Sequence, residues 1–130
     1  MYVNMTTNLM VENVEKSIAF YQEVLDFSVI TSVPNEIGGL QFAILTNNNL
    51  TLMMQERSNF ITEYPILETA KVHPSISLYI KVTEFDKFYR ELKKKTTIYT
   101  EQHLTFYGTK EFAIADINGY VLTFTEHIEV

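Results

Sequence analysis

Polar and apolar residues alternate from the start of the chain. Val3, Met5, Thr7, Leu9 and Val11 interleave with Tyr2, Asn4, Thr6, Asn8 and Met10, which predicts a strand over residues 2–11. The period then changes. Val14, Ile18, Tyr21 and Leu25 recur at helical spacing behind Asn13, a residue type that caps helix N-termini. A β-rich run from Phe27 to Val33 ends in the turn chemistry of Pro34 to Gly39. Leu40 to Leu45 and Leu50 to Gln55 read as strands joined by Asn47-Asn48-Asn49, residues that tolerate left-handed backbone angles. Residues 56–74 carry Pro65 and Pro74 and no clear period. They read as a connector with a short helix near Ile66–Ala70.

The pattern then repeats. Ile76, Leu78, Ile80 and Val82 alternate with Ser75, Ser77, Tyr79 and Lys81. Thr83 and Asp86 have the spacing of a capping box, and Phe85, Phe88, Tyr89 and Leu92 form a helical stripe. Thr96 to Thr100 reads as an edge strand, and Glu101 to Gly108 as a loop carrying His103, Phe106 and Tyr107. Lys110 to Ile117 and Tyr120 to Ile128 flank Asn118-Gly119, a strong hairpin signal. Local motifs echo the repeat: Val11-x-x-Val14-Glu15-Lys16 returns as Val82-x-x-Phe85-Asp86-Lys87, and Phe42-Ala43-Ile44 as Phe112-Ala113-Ile114. That match makes Gln41 and Glu111 equivalent. The organisation is one domain of two modules, about 1–56 and 75–130, with a connector at about 57–74. Duplicated modules pair with a cleft between their halves.

One face of each strand is apolar and suits packing on a helix. The other is unusually polar: Asn4, Thr6 and Asn8; Thr51, Met53 and Gln55; Ser75, Ser77, Tyr79 and Lys81; Val121, Thr123, Thr125 and His127. Such a face is either solvated, as in many antiparallel sheets, or wraps a ligand cavity.

Composition narrows the function classes. The 130 residues suffice for one domain with a real core. The net charge of −6 disfavours nucleic acid as a partner, and Lys93-Lys94-Lys95 sits where cations complement a helix C-terminus. No apolar run approaches the roughly 18 residues of a membrane span, and the N-terminus does not read as a secretory signal, so a cytoplasmic location is expected. The absence of cysteine excludes thiolate chemistry and disulfides.

Leu9 to Tyr21, with Val11-Glu12-Asn13 and Ser17-Ile18-Ala19-Phe20-Tyr21, resembles the opening strand and helix of the vicinal oxygen chelate superfamily. Tyr107 to Tyr120, with Gly108, Phe112 and Asp116-Ile117-Asn118-Gly119, resembles its closing strand pair. Asn13 and Ile117 depart from the usual Asp and Pro at structural positions. The resemblance covers nearly the whole chain. It implies an α+β fold of two tandem βαβββ modules forming an open eight-stranded glyoxalase-like barrel, often as a homodimer. The superfamily includes glyoxalases, extradiol dioxygenases and metal-free bleomycin-binding proteins, so fold leaves function open.

The resemblance also implies where a divalent metal would be held: Thr6, Met53, Ser77 and Thr123. Neutral hydroxyls and a lone thioether are poor ligands for such ions, so no metal and no other cofactor is expected. His73, His103 and His127 are scattered; His127 shares strand parity with Thr123 but lies ~13 Å along the strand. The leading expectation is a metal-free protein binding a drug or metabolite on its polar sheet face. Thr6, Met53, Ser77 and Thr123 would line that face, with Gln41 and Glu111 toward the cavity and Tyr79, Phe106 and Tyr107 stacking on the ligand. The alternative is a divergent lyase, isomerase or dioxygenase, with metal at a non-standard site or none. Glu56, His103 and Glu111 would be its proton carriers. A vestigial cleft in a regulatory or structural protein is a third reading.

Overall fold

The computed structural model describes residues 1–129 and divides the chain into two compact units, Met1–His73 and Pro74–Val130. In the first, strand β1 (Thr7–Val11) leads to helix α1 (Val14–Leu25), then to β2 (Ser28–Pro34), β3 (Leu40–Asn47) and β4 (Leu50–Glu56). The sheet order is β1-β4-β3-β2, with β1 parallel to β4 and the other pairs antiparallel. Leu9, Val11, Leu45, Leu52 and Met54 bury one sheet face, and Val14, Tyr21 and Leu25 are the buried stripe of α1. Asn13 caps α1 as its residue type predicts: extended at φ −145°, it accepts the Lys16 N–H at 2.8 Å. Asn13→Ala is expected to cost about 1 kcal/mol in urea denaturation, since one helix-end N–H loses its acceptor.

The second unit repeats the order. Strand β5 (Ser77–Lys81) and helix α3 (Phe85–Lys93) precede β6 (Thr100–Leu104), β7 (Thr109–Ala115) and β8 (Val121–His127), in the sheet order β5-β8-β7-β6. Its core is aromatic. The Phe112 ring, fully buried, meets Phe85, Phe88, Tyr89 and Phe124 at centroid distances of 5.4, 6.1, 5.1 and 5.2 Å.

Several expected elements shift. β1 starts at Thr7 rather than residue 2, because its parallel partner β4 begins at Leu50 and offers nothing opposite residues 2–4. The connector is more ordered than its composition suggests. It forms helix α2 (Arg57–Glu63) and a 3-10 turn at Pro65–Leu67, instead of a helix near Ile66–Ala70. Glu12 ties it down by pairing with Arg57 at 3.0 Å and accepting the Val72 N–H at 3.0 Å. No capping box forms at Thr83. Glu84 takes a left-handed φ of 53°, and the Phe85 N–H turns to the Glu126 carboxylate at 3.1 Å. The Thr96 N–H still bonds Leu92 O, extending the α3 terminus, so β6 begins only at Thr100. His103 therefore stands on a strand rather than in a loop.

The repeat itself has a register difference. Val11 is opposite Glu56 and Val82 follows Lys81, opposite Thr125, so the last strands align with Met53 on Thr123 and Gln55 on Thr125. Gln55 pairs with Phe42, whereas Thr125 pairs with Glu111. The structural counterpart of Glu111 is thus Phe42, not Gln41, and that of Phe112 is Ala43. The second hairpin is one residue longer. Five residues, Asp116 to Tyr120, separate the pair Ala115–Val121, against four between the matching Thr46–Thr51. Asp116 organises the longer turn by accepting the N–H groups of Asn118 and Tyr120 at 2.9 and 3.0 Å.

Candidate functional sites

Each unit gathers polar side chains on the sheet face opposite its helix, at matching ladder positions. In the first unit these are Asn8 and Gln55; in the second, their counterparts Tyr79 and Thr125, together with Glu111.

The first unit holds a cavity of about 540 Å³. Asn8, Met53 and Gln55 border it from β1 and β4, Val33, Gln41 and Phe42 from β2 and β3, and Asn59, Thr62, Glu63 and Tyr64 from α2 and its end. Gln55 is 4% exposed and fully engaged. Its Nε2 donates to Asn59 Oδ1 at 2.6 Å and to Glu63 Oε1 at 2.9 Å, and its Oε1 accepts from Asn8 Nδ2 at 2.9 Å. The volume and the mixture of apolar and amide groups suit a small organic molecule.

In the second unit Glu111 is 5% exposed, yet no cation pairs with it among the described residues, where the ion pairs are Arg57–Glu12 and Lys110–Asp86. Hydroxyls hold it instead. Tyr79 and Thr109 donate to Oε2, the latter at 2.9 Å, as does Thr125 at 3.1 Å; Tyr107 reaches Oε1 at 3.1 Å. Burial pushes the Glu111 pKa up, but these four donors outweigh it and the net shift is downward. The Tyr107 phenol is pushed up, first by desolvation and then by its bond to Glu111. Glu111 is an anionic anchor that orients two tyrosines, and its depressed pKa makes it a weak proton acceptor at neutral pH.

Of the residues singled out from sequence, Gln41 and Met53 border the first cavity, while Tyr79, Tyr107 and Glu111 converge in the second unit. Thr123 stands beside Tyr79 in the β5–β8 ladder. Thr6 precedes β1 and Ser77 opens β5; neither borders the cavity or bonds Glu111. Phe106 is fully exposed, edge-on to Tyr107. Glu56 caps α2 through Ser58 and Asn59; burial raises its pKa, but those bonds lower it further. His103 is exposed, with Nδ1 2.9 Å from Glu101 O.

Sequence reasoning passed over Asn59, Thr62, Glu63 and Tyr64 because they fall in the stretch read as connector. The Phe60/Tyr64 spacing behind the Glu56-Arg57-Ser58 start was the available helix signal. Thr109 was also missed, although it shares strand parity with Glu111; Thr125 was read onto the polar face, but its pairing with Glu111 was not.

The donor set tests badly for a divalent metal. Thr6, Met53, Ser77 and Thr123 supply three neutral hydroxyls and a thioether, and no three His, Asp or Glu side chains converge among the described residues.

Two βαβββ modules, each a four-stranded mixed sheet carrying a helix on one face, define an α+β glyoxalase-like fold. The chain belongs to the Glyoxalase/Bleomycin resistance protein/Dioxygenase superfamily, which it matches over residues 3–124. Solved structures agree in fold. A glyoxalase/bleomycin resistance protein/dioxygenase from Nocardioides is 14% identical, with a TM-score of 0.83 over 99% of this chain and 86% of that one. TioX from Micromonospora sp. ML1 is 16% identical, with a TM-score of 0.72 over 98% and 100%. A family enzyme from Burkholderia phytofirmans PsJN is 18% identical, with a TM-score of 0.72 over 95% and 97%. No curated protein matches the chain in sequence. Among the described residues, no helix is long and apolar enough to cross a membrane.

Proposed function

We propose that this protein binds a small organic molecule, a drug or metabolite, in the cavity of its first unit, without a divalent metal or other cofactor. The observation that carries this reading is the cavity of about 540 Å³, where a fixed amide network adjoins Phe42, Met53 and Tyr64. Apolar walls supply affinity and a few placed polar groups supply orientation, the usual division in small-molecule sites. The donor chemistry at Thr6, Met53, Ser77 and Thr123 supports the metal-free part. The reading includes a homodimer in the cytoplasm, with neither nucleic acid nor membrane as partner; the net charge of −6 supports the exclusion of nucleic acid.

A fragment screen by ¹⁵N NMR tests it. Fragments are expected to shift the side-chain amides of Asn8, Gln55 and Asn59, and chelator treatment is expected to leave those shifts intact. Thr62→Trp places an indole at the exposed rim and is expected to weaken them about tenfold or more while the rest of the spectrum persists. Fragments that bind only elsewhere, or only when metal is added, would overturn the proposal.

A further inference from the structure

Part of the first cavity's wall, Asn59, Thr62, Glu63 and Tyr64, comes from α2 and its end. Helix α2 has only 7 residues. Isolated helices shorter than about 12 residues are marginal in water, so this wall stands only where something holds it. Its N-terminus is held twice. Glu56 caps it through the Ser58 and Asn59 N–H groups, and Arg57 donates to Glu12 at 3.0 Å and to Thr69 O at 3.2 Å. Farther along, Phe60 is buried and packs on Tyr64, a contact that favours no single orientation. The directional tether there is Gln55 on β4. Its Nε2 donates to Asn59 Oδ1 at 2.6 Å and to Glu63 Oε1 at 2.9 Å, two residues one turn apart on α2. Its Oε1 accepts from Asn8 on β1 at 2.9 Å. Protein groups thus engage both ends of the amide, and with 4% of its surface exposed Gln55 has little left to offer a ligand. A carboxylate only accepts, so the contact with Glu63 needs a donor at position 55.

We infer that Gln55 is the positioning residue of the first cavity. It bridges β1, β4 and α2 and holds the helical wall that carries Thr62, Glu63 and Tyr64. It therefore sets ligand affinity through that wall rather than by contact. This rests on the small-molecule reading above and adds the residue that shapes its site.

Gln55→Glu keeps the length and shape of the side chain but sets a second carboxylate against Glu63, with no proton to donate in mildly alkaline solution. Backbone order parameters over residues 59–64 are then expected to fall from about 0.85 to below about 0.6, while those of β4 hold. Benzamide, a neutral planar probe followed through the Asn8 and Asn59 side-chain amides, is expected to bind about tenfold less tightly. The double variant Gln55→Glu/Glu63→Gln reverses the polarity of the contact, because an amide at position 63 can donate to a carboxylate at position 55. It is expected to restore both the order of residues 59–64 and benzamide binding. A buried residue that only filled space would gain nothing from the change at Glu63. Gln55→Glu with residues 59–64 as ordered as in the wild type, or a double variant no better than Gln55→Glu, would overturn the positioning role and leave small-molecule binding standing. Loosened and rescued order with unchanged benzamide affinity would overturn it as well, since α2 would then not be the ligand's wall. If benzamide and the fragment screen both leave the wild-type amides unmoved, the small-molecule reading falls and this inference falls with it.

Discussion

Phe112→Ala is expected to destabilise the protein by about 3–5 kcal/mol, the usual cost of emptying a fully buried phenylalanine site. Four aromatic rings surround Phe112 with centroids 5.1 to 6.1 Å away, and β7 backbone pairing keeps them from closing over the void. The informative control is Phe42→Ala. The sequence repeat pairs Phe42 with Phe112, but the ladders place Phe42 on the opposite sheet face, half-buried at the cavity. Phe42→Ala is expected to cost about 1 kcal/mol and to weaken ligand binding. Urea denaturation of the two variants side by side checks the register. Equal losses would mean that the FAI repeat, and not the hairpin pairing, describes the fold.

Glu111→Ala is expected to cost about 2–4 kcal/mol, because four hydroxyls lose one buried charged acceptor together. Thr125, 2% exposed, would retain only the Tyr79 hydroxyl at 3.2 Å. Glu111→Gln keeps one acceptor oxygen, and its amide can donate to the hydroxyls, so it should retain more of the stability. The two variants also share a pH signature. The folded pKa of Glu111 lies below its ordinary 4.5, so the folded state binds this proton less readily than the unfolded chain. Its contribution is therefore fully present above pH 4.5 and is lost as pH falls through the depressed folded value. Denaturation midpoints from neutral pH down to the acid limit should fall less steeply in both variants than in the wild type. An unchanged acid slope would show that Glu111 does not supply this term.

Much of the fold is legible because it depends on local period. Alternation places the strands within a few residues, 3.6-residue spacing places α1 and α3, and Asn13 marks a helix start that the backbone uses. The family match rests on the same local patterns. Legibility fails where a contact distant in sequence takes over a local choice. Glu126 displaces the expected Thr83 cap, Leu92 O holds the Thr96 N–H that the predicted strand needed, and Glu12 orders a stretch whose composition resembles a linker.

The candidate sites divide in the same way. Strand parity alone assigned Asn8, Gln55, Tyr79 and Thr125 to polar faces, and the neutral residues at Thr6, Met53, Ser77 and Thr123 argued against metal before any contact was known. By itself the sequence determined the repeat, the element order and the chemistry absent from the expected metal positions. Only the tertiary structure decided that one extra turn residue puts Phe112 rather than Phe42 in the core, that α2 supplies Glu63 to the first cavity, and that four hydroxyls hold Glu111 as an anion. Period fixes which face a residue occupies on its own strand. Pairing register and the docking of a neighbouring helix fix what it meets there, and both are set by contacts that no local pattern encodes.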